Sequence, residues 1–260
     1  MPTFETRRSL LCALALSWVV LSSCASPESS QEPFDVVEAT ILEMQQAMEE
    51  GRTTSRALVE AHLLRIAIYE ERVNAVIAIN ANALAEADQL DQERAAGNVR
   101  GPLHGIPVAL KDNVHTTHLP TTGGALAFRG YVPPFEATLT TNLRDAGAII
   151  LAKTVMTELA NFTAAGMPGN YSAVGGFGLN PYDPRRDPRD GRNDGRPIMG
   201  TGGSSSGIGT ASSFWAGNVG TETSGSILSP SNANMLVGIK PTVGRVSRWG
   251  VNPITGDQDT

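Results

Sequence analysis

The chain has 260 residues, 41% hydrophobic and 18% charged, with 27 glycines and 16 prolines. That is long enough to bury a sizeable core, and the glycine content favours a loop-rich α/β body over a helical bundle. The net charge of −6, with no run of Lys or Arg, excludes a nucleic-acid-binding surface and a surface built for anionic membranes.

The first residues, MPTFETRRSLLCALALSWVVLSSCAS, read as a secretory signal rather than part of the fold. Arg7-Arg8 precede a largely apolar run from Leu10 to Leu21, too short for a membrane span, and small residues follow. Leu21-Ser22-Ser23-Cys24 resembles the lipobox of bacterial lipoproteins; the alternative is a plain signal peptide with a chance cysteine. On the lipobox reading residues 1–23 are removed, Cys24 carries the lipid and residues 24–33 form a short tether. The mature protein is then exported to the periplasm or cell envelope, touching the membrane only through that anchor. Cys12 leaves with the signal, so no intramolecular disulfide remains.

Residues 34–98 read as N-terminal helices. Val36, Val37, Ile41, Leu42, Met44 and Met48 recur at helical spacing from Phe34 until Gly51. A second helix starts near Thr54 and places His62 among apolar residues, a structural position. AVIAIN (75–80) predicts a strand, and ANALAEADQLDQERAAG a helix ending at Gly97. Residues 99–260 change character. Ile106–Leu110 predicts a short strand ending in Lys111-Asp112-Asn113. ATLTTNLRDAGAIILAK predicts a helix stopped near Gly147 and a strand over Ala148–Leu151. Short apolar strands alternating with helices predict a mixed β-sheet flanked by helices. NPYDPRRDPRDGRNDGRP (180–197) has no periodicity and predicts an exposed loop, its arginines interleaved with aspartates.

TGGSSSGIGT (201–210) admits four readings: a flexible linker, a phosphate cradle, a nucleophile elbow, or a serine supply for another catalytic arrangement. Apolar Ile208, Phe214 and Trp215 follow at once, against a linker. No lysine follows in the phosphate-loop position. All four histidines lie upstream, so the elbow would lack its base. No histidine pair has a carboxylate at metal-site spacing, and neither a metal nor a cofactor is expected. What remains is serine chemistry without histidine. Lys111 ends an apolar strand, and a lysine is a base only when neutral. Holding it so near pH 7 opposes its ordinary pKa of about 10.4 by roughly 4–5 kcal/mol, which burial can supply. Taken alone, Lys111 reads more simply as a surface lysine at a strand end.

GPLHGIPVALKDN (101–113), TGGSSSG (201–207) and GTETSGSILSPSNANMLVGIKPTVGRVSR (220–248), in this order, resemble the amidase signature family. LRDAGAIILAKT (143–154) and NPYD (180–183) look like its connecting segments. The resemblance runs from about Ala57 to the last residue and implies that family's α/β fold. It also implies a Ser–cis-Ser–Lys triad: Ser226 as nucleophile, Ser204 as the relay whose preceding peptide bond is cis, and Lys111 as base. Backbone N–H groups across Thr223, Ser224, Gly225 and Ser226 would hold the oxyanion, and Gly202, Gly203 and Ser205 would support the loop. The implied activity is hydrolysis of a small-molecule or peptide amide, with no nucleic-acid partner.

Two departures from the family pattern go with this resemblance. The stretch between Ser204 and Ser226 is about two residues short, which turns a helix by about 200° and would misdirect apolar residues. Family members also run on for roughly as much sequence again, so 34–260 is expected to be a partial domain. An inactive remnant and an amidotransferase-like subunit needing a partner therefore stand as alternatives.

Overall fold

A computed structural model describes residues 33–163, 166–202 and 206–260; the expected signal, Cys24 and nearly all of the tether lie outside them. The N-terminal helix is shorter than its periodicity suggested. Residues 34–40 are not helical, and α1 runs Ile41–Glu49. Thr40 fixes its start: Thr40 Oγ1 accepts from the Glu43 amide at 3.2 Å, and Glu43 Oε2 accepts from the Thr40 amide at 2.8 Å. Val36 is buried outside the helix, so its apolar character reported packing rather than helical phase. Thr54 caps α2 (Ser55–Val73), and Asn74 in the left-handed region ends it. Strand β1 (Val76–Ile79) and helix α3 (Ala83–Ala95) follow as the sequence predicts.

Strand β2 (Pro107–Lys111), helix α4 (Thr138–Asp145) and strand β3 (Ile149–Thr154) build the centre. β3 extends past Leu151 because Ala152, Lys153 and Thr154 are buried beside β2 and keep pairing with it. After a short hairpin of β4 (Tyr171–Ser172) and β5 (Gly176–Phe177) come α5 (Ser206–Ala211), β6 (Gly217–Val219) and α6 (Leu228–Ala233). The main sheet has the order β1-β3-β2-β6, with β3, β2 and β6 parallel and β1 antiparallel at one edge. This is the mixed α/β sheet with flanking helices expected from the sequence.

Helices cover both faces. Val59, Ile66, Leu90, Ala109, Ile149, Leu151, Phe214 and Trp215 pack on one side, and Met44, Met48, Leu58, Val108, Leu110 and Ile150 on the other. Each fully buried aliphatic side chain contributes roughly 1.5–3 kcal/mol. Strands buried on both faces explain the unbroken apolar runs IPVAL and AIIL. The register shifts between Val108↔Ile150 and Ala109↔Ala152, leaving Leu151 as an extra residue in β3. That slip sets Lys153 opposite Leu110 and Thr154 opposite Lys111.

The misdirected packing expected from the shortened 204–226 stretch does not occur. α5 ends at Ala211, Ser213 turns the chain at φ 53°, and Ile208, Phe214 and Trp215 are all buried. The 180–197 segment is mostly exposed loop. Three of its arginines are neutralised by an aspartate two residues earlier: Asp183–Arg185 at 2.7 Å, Asp187–Arg189 at 2.6 Å and Asp194–Arg196 at 2.7 Å.

Candidate active site

The carboxyl ends of β2 and β6 point the same way, and loops beyond such ends are where parallel sheets place ligands. Lys111 is the last residue of β2 and is fully buried. Its Nζ donates to Thr221 Oγ1 at 2.9 Å and to Thr221 O at 3.1 Å, just past the end of β6. Asn113 Nδ2 also donates to Thr221 Oγ1, at 3.0 Å. Burial pushes the Lys111 pKa down to about 7, while the carboxylates of Glu222 and Asp259 pull it the other way. The buried environment that a lysine base requires is therefore present.

Ser226 lies in the loop between β6 and α6 and is half-buried. Glu222 folds this loop back on itself, its Oε2 accepting from the Ile227 and Leu228 amides at 2.8 Å each. Gly225 takes φ 108°, a region that favours glycine, and its carbonyl accepts from the Ser229 amide at 2.7 Å. Among the described residues, the amides of Thr223, Ser224, Gly225 and Ser226 have no hydrogen-bond acceptor. A cluster of free backbone donors beside a serine hydroxyl is what an oxyanion site needs.

The described flanks of the Ser-rich segment pack against α6. A Cβ on Gly202, at φ 83°, would stand 2.4 Å from Pro230 Cα, so only glycine allows this approach to α6. Asn234 Nδ2 bridges Thr201 O at 3.0 Å and Pro230 O at 2.8 Å, and Asn180 Nδ2 joins Gly200 O to Ala233 O at 3.0 Å each. Gly203, Ser204 and Ser205 lie outside the described residues, with the peptide bond expected to be cis; their flanks, Gly202 and Gly207, both pack on Pro230 four residues past Ser226.

A cavity of about 1190 Å³ opens beside these loops, walled by Asn113, Thr221, Thr223, Ile227, Trp249 and Asp259 among others. Lys111 reaches this wall through its hydrogen bonds to Thr221, and Ser226 lies in the chain between two wall residues, Thr223 and Ile227. Residues 249–252 run along the loop after β2, with the His115 amide donating to Gly250 O and the Asn252 amide to Asn113 O, both at 2.9 Å.

Sequence reasoning missed Thr221, Glu222 and Asp259, and it missed Lys153. Lys153 and Asp112 are fully buried and pair at 3.6 Å. Lys153 Nζ also donates to Val114 O at 2.7 Å, Thr121 Oγ1 at 2.9 Å and Pro120 O at 3.2 Å. Asp112 Oδ2 accepts from Thr122 Oγ1, from the Thr122 amide at 3.0 Å and from the Gly124 amide at 3.3 Å. The signal was a lone cation in the apolar run AIILAKT, where an unpaired charge would be costly.

The Amidase family model matches residues 57–260. A probable amidase of Arabidopsis thaliana is 40% identical over 99% of this chain and 49% of its own length. The solved peptide amidase from Stenotrophomonas maltophilia superimposes with a TM-score of 0.80 at 41% identity, over 88% of this chain and 45% of that one. A glutamyl-tRNA(Gln) amidotransferase subunit of Streptomyces coelicolor is 37% identical over 86% of this chain and 42% of its own length. The chain thus spans about half the length of the relatives it matches.

Proposed function

The chain belongs to the amidase family, and within it we propose that its site hydrolyses a carboxylic or peptide-type amide through an acyl-enzyme on Ser226. The observation that carries this reading is the buried Lys111, held beside the Ser226 loop with a pKa of about 7. Neutral Lys111 takes a proton from Ser204 Oγ as Ser204 takes one from Ser226 Oγ. Ser226 Oγ bonds to the amide carbonyl carbon, and free amides of the 223–226 loop hold the oxyanion. The C–N bond breaks as Ser204 returns a proton to the departing amine and is reprotonated by Lys111. Water then attacks the ester along the same proton path and releases the acid, restoring Ser226. One oxyanion donor is typically worth about 3–4 kcal/mol.

The likeness to a peptide amidase supports a peptide-derived substrate, and the cavity of about 1190 Å³, walled in part by Trp249, has room for one. The amidotransferase-like reading keeps a claim through the amidotransferase relatives, whose kind would bring a partner protein. The export reading belongs to the proposal too: Arg7-Arg8, the apolar run and Cys24 support a lipid-anchored protein of the cell envelope. Detergent-phase partitioning that Cys24→Ser abolishes would support it; unchanged partitioning would remove it.

The test of the chemistry is fluorophosphonate labelling of the chain with peptide mapping by mass spectrometry. Labelling confined to Ser226 and absent in Ser226→Ala is the expected result. Equal labelling of the Ser226→Ala protein would overturn the mechanism.

A further inference from the structure

We propose that Asp259 is a positioning residue that clamps the Thr223–Ser226 turn in register with Lys111. The proposal rests on the reading of Ser226 as the nucleophile. One oxygen of the Asp259 carboxylate accepts from Thr223 Oγ1. The other accepts from the Ile254 amide at 2.8 Å and the Thr255 amide at 2.9 Å. The backbone on either side completes the clamp. The Glu222 amide donates to Thr260 O at 3.2 Å, and the Thr260 amide donates to Glu222 O at 3.0 Å.

Residues 222–223 and 259–260 therefore act as one unit, tied to both sides of the turn. Glu222 closes the far side through Ile227 and Leu228, and Asp259 holds the near side through Thr223. Between them sit the four amides left without acceptors. A turn stretched between two carboxylate anchors keeps those donors aimed without using any of them. A displacement of about 1 Å there would cost roughly a hundredfold in rate.

Asp259 also acts at a distance on the base. The charged groups that bear on Lys111 are Glu222 and Asp259, both favouring its protonated form against the larger effect of burial. Asp112, next to Lys111 in the chain, is occupied by Lys153 and Thr122. Removing the Asp259 charge should let the Lys111 pKa fall further, whereas breaking only the Thr223 hydrogen bond should not.

The experiment is the rate of Ser226 labelling by a fluorophosphonate as a function of pH, in the full chain and in Asp259→Asn, Thr223→Val and Thr223→Ser. Asp259→Asn should lower the plateau rate by at least about tenfold and move the midpoint to lower pH. Thr223→Val should lower the plateau with the midpoint unmoved, and Thr223→Ser should restore it. If Asp259→Asn fails to fold, Thr223→Val, which keeps the carboxylate, carries the test. Plateau rates within twofold of the parent in the folded variants would overturn the proposal. Absence of labelling in the parent chain would instead overturn the nucleophile reading on which it stands.

Discussion

Lys111 and Lys153 lie on neighbouring parallel strands, Lys153 opposite Leu110 and Lys111 one step further on, and both are fully buried. Their surroundings separate them. Lys153 faces the Asp112 carboxylate at 3.6 Å, and burial lowers its pKa only to about 8. Among the described residues, the Lys111 ammonium meets the hydroxyl and carbonyl of Thr221, and its pKa falls to about 7. One lysine faces a carboxylate and ties loops together, and its neighbour is the base of the proposed mechanism.

On the proposed mechanism, this division sets the pH dependence of the chemistry. Ser226 labelling should rise with pH, with a midpoint near 7, as Lys111 loses its proton. Lys111→Met should abolish labelling. It should also raise stability, because the thioether chain fills the same space with no charge to bury. In the parent chain the unfolded state binds more protons than the native state between pH 7 and about 10.5, so stability rises across that window through Lys111. Denaturant midpoints of the two proteins at pH 7 and pH 9 check this: the gap between them should narrow at the higher pH.

The Asp112–Lys153 pair should behave in the opposite way. Asp112→Asn leaves a buried ammonium without its carboxylate, a change that typically costs about 3–5 kcal/mol. The loop from Asn113 to Gly124, which both side chains hold, should lose its protection from amide exchange. The double variant Asp112→Asn with Lys153→Met should recover part of the loss. Urea denaturation of the three proteins gives the result, and a single variant as stable as the parent would mean that the pair contributes nothing.

Ser224 stands in the candidate oxyanion loop, but only its amide is of use there. Ser224→Ala keeps that amide, so labelling of Ser226 should stay within about tenfold of the parent. A loss as deep as that of Ser226→Ala, measured under the same conditions, would give the Ser224 hydroxyl a chemical role.

Part of the fold was legible in the sequence because it rests on local rules: the apolar run ending at Lys111 marks a strand by short-range chemistry alone. The roles expected of Lys111, Ser204 and Ser226 came instead from the family resemblance, since taken alone Lys111 reads as a surface lysine. The start of α1 is set locally too, but the apolar spacing from Phe34 hid it: Thr40 and Glu43 form a capping box that outweighs that spacing. The rest depends on residues far apart in the chain. Nothing near Glu222 or Thr223 signals that Asp259, 36 residues beyond Thr223, will hold them. Nor does periodicity reveal the extra residue at Leu151 that sets Lys153 against Asp112 rather than beside Lys111. The packing of Gly202 on Pro230 likewise becomes visible only when both segments are folded together.

His62 supplies an acid limit that is independent of the chemistry. Its ring is buried, with Nδ1 3.0 Å from Ser213 O, and burial pushes its pKa down to about 4. In the unfolded chain the ordinary value is near 6.5, so the unfolded state binds the extra proton first as pH falls. The stability linked to His62 is complete above pH 6.5 and is lost progressively down to about pH 4, where the loss amounts to roughly 3 kcal/mol. Thermal unfolding followed between pH 7 and pH 4 should therefore show a fall that His62→Gln reduces. The Gln amide can keep the contact to Ser213 O without a titrating group. An unchanged slope in that variant would place the acid sensitivity elsewhere, with His115 and His118, whose pKa values burial also lowers, the first groups to test.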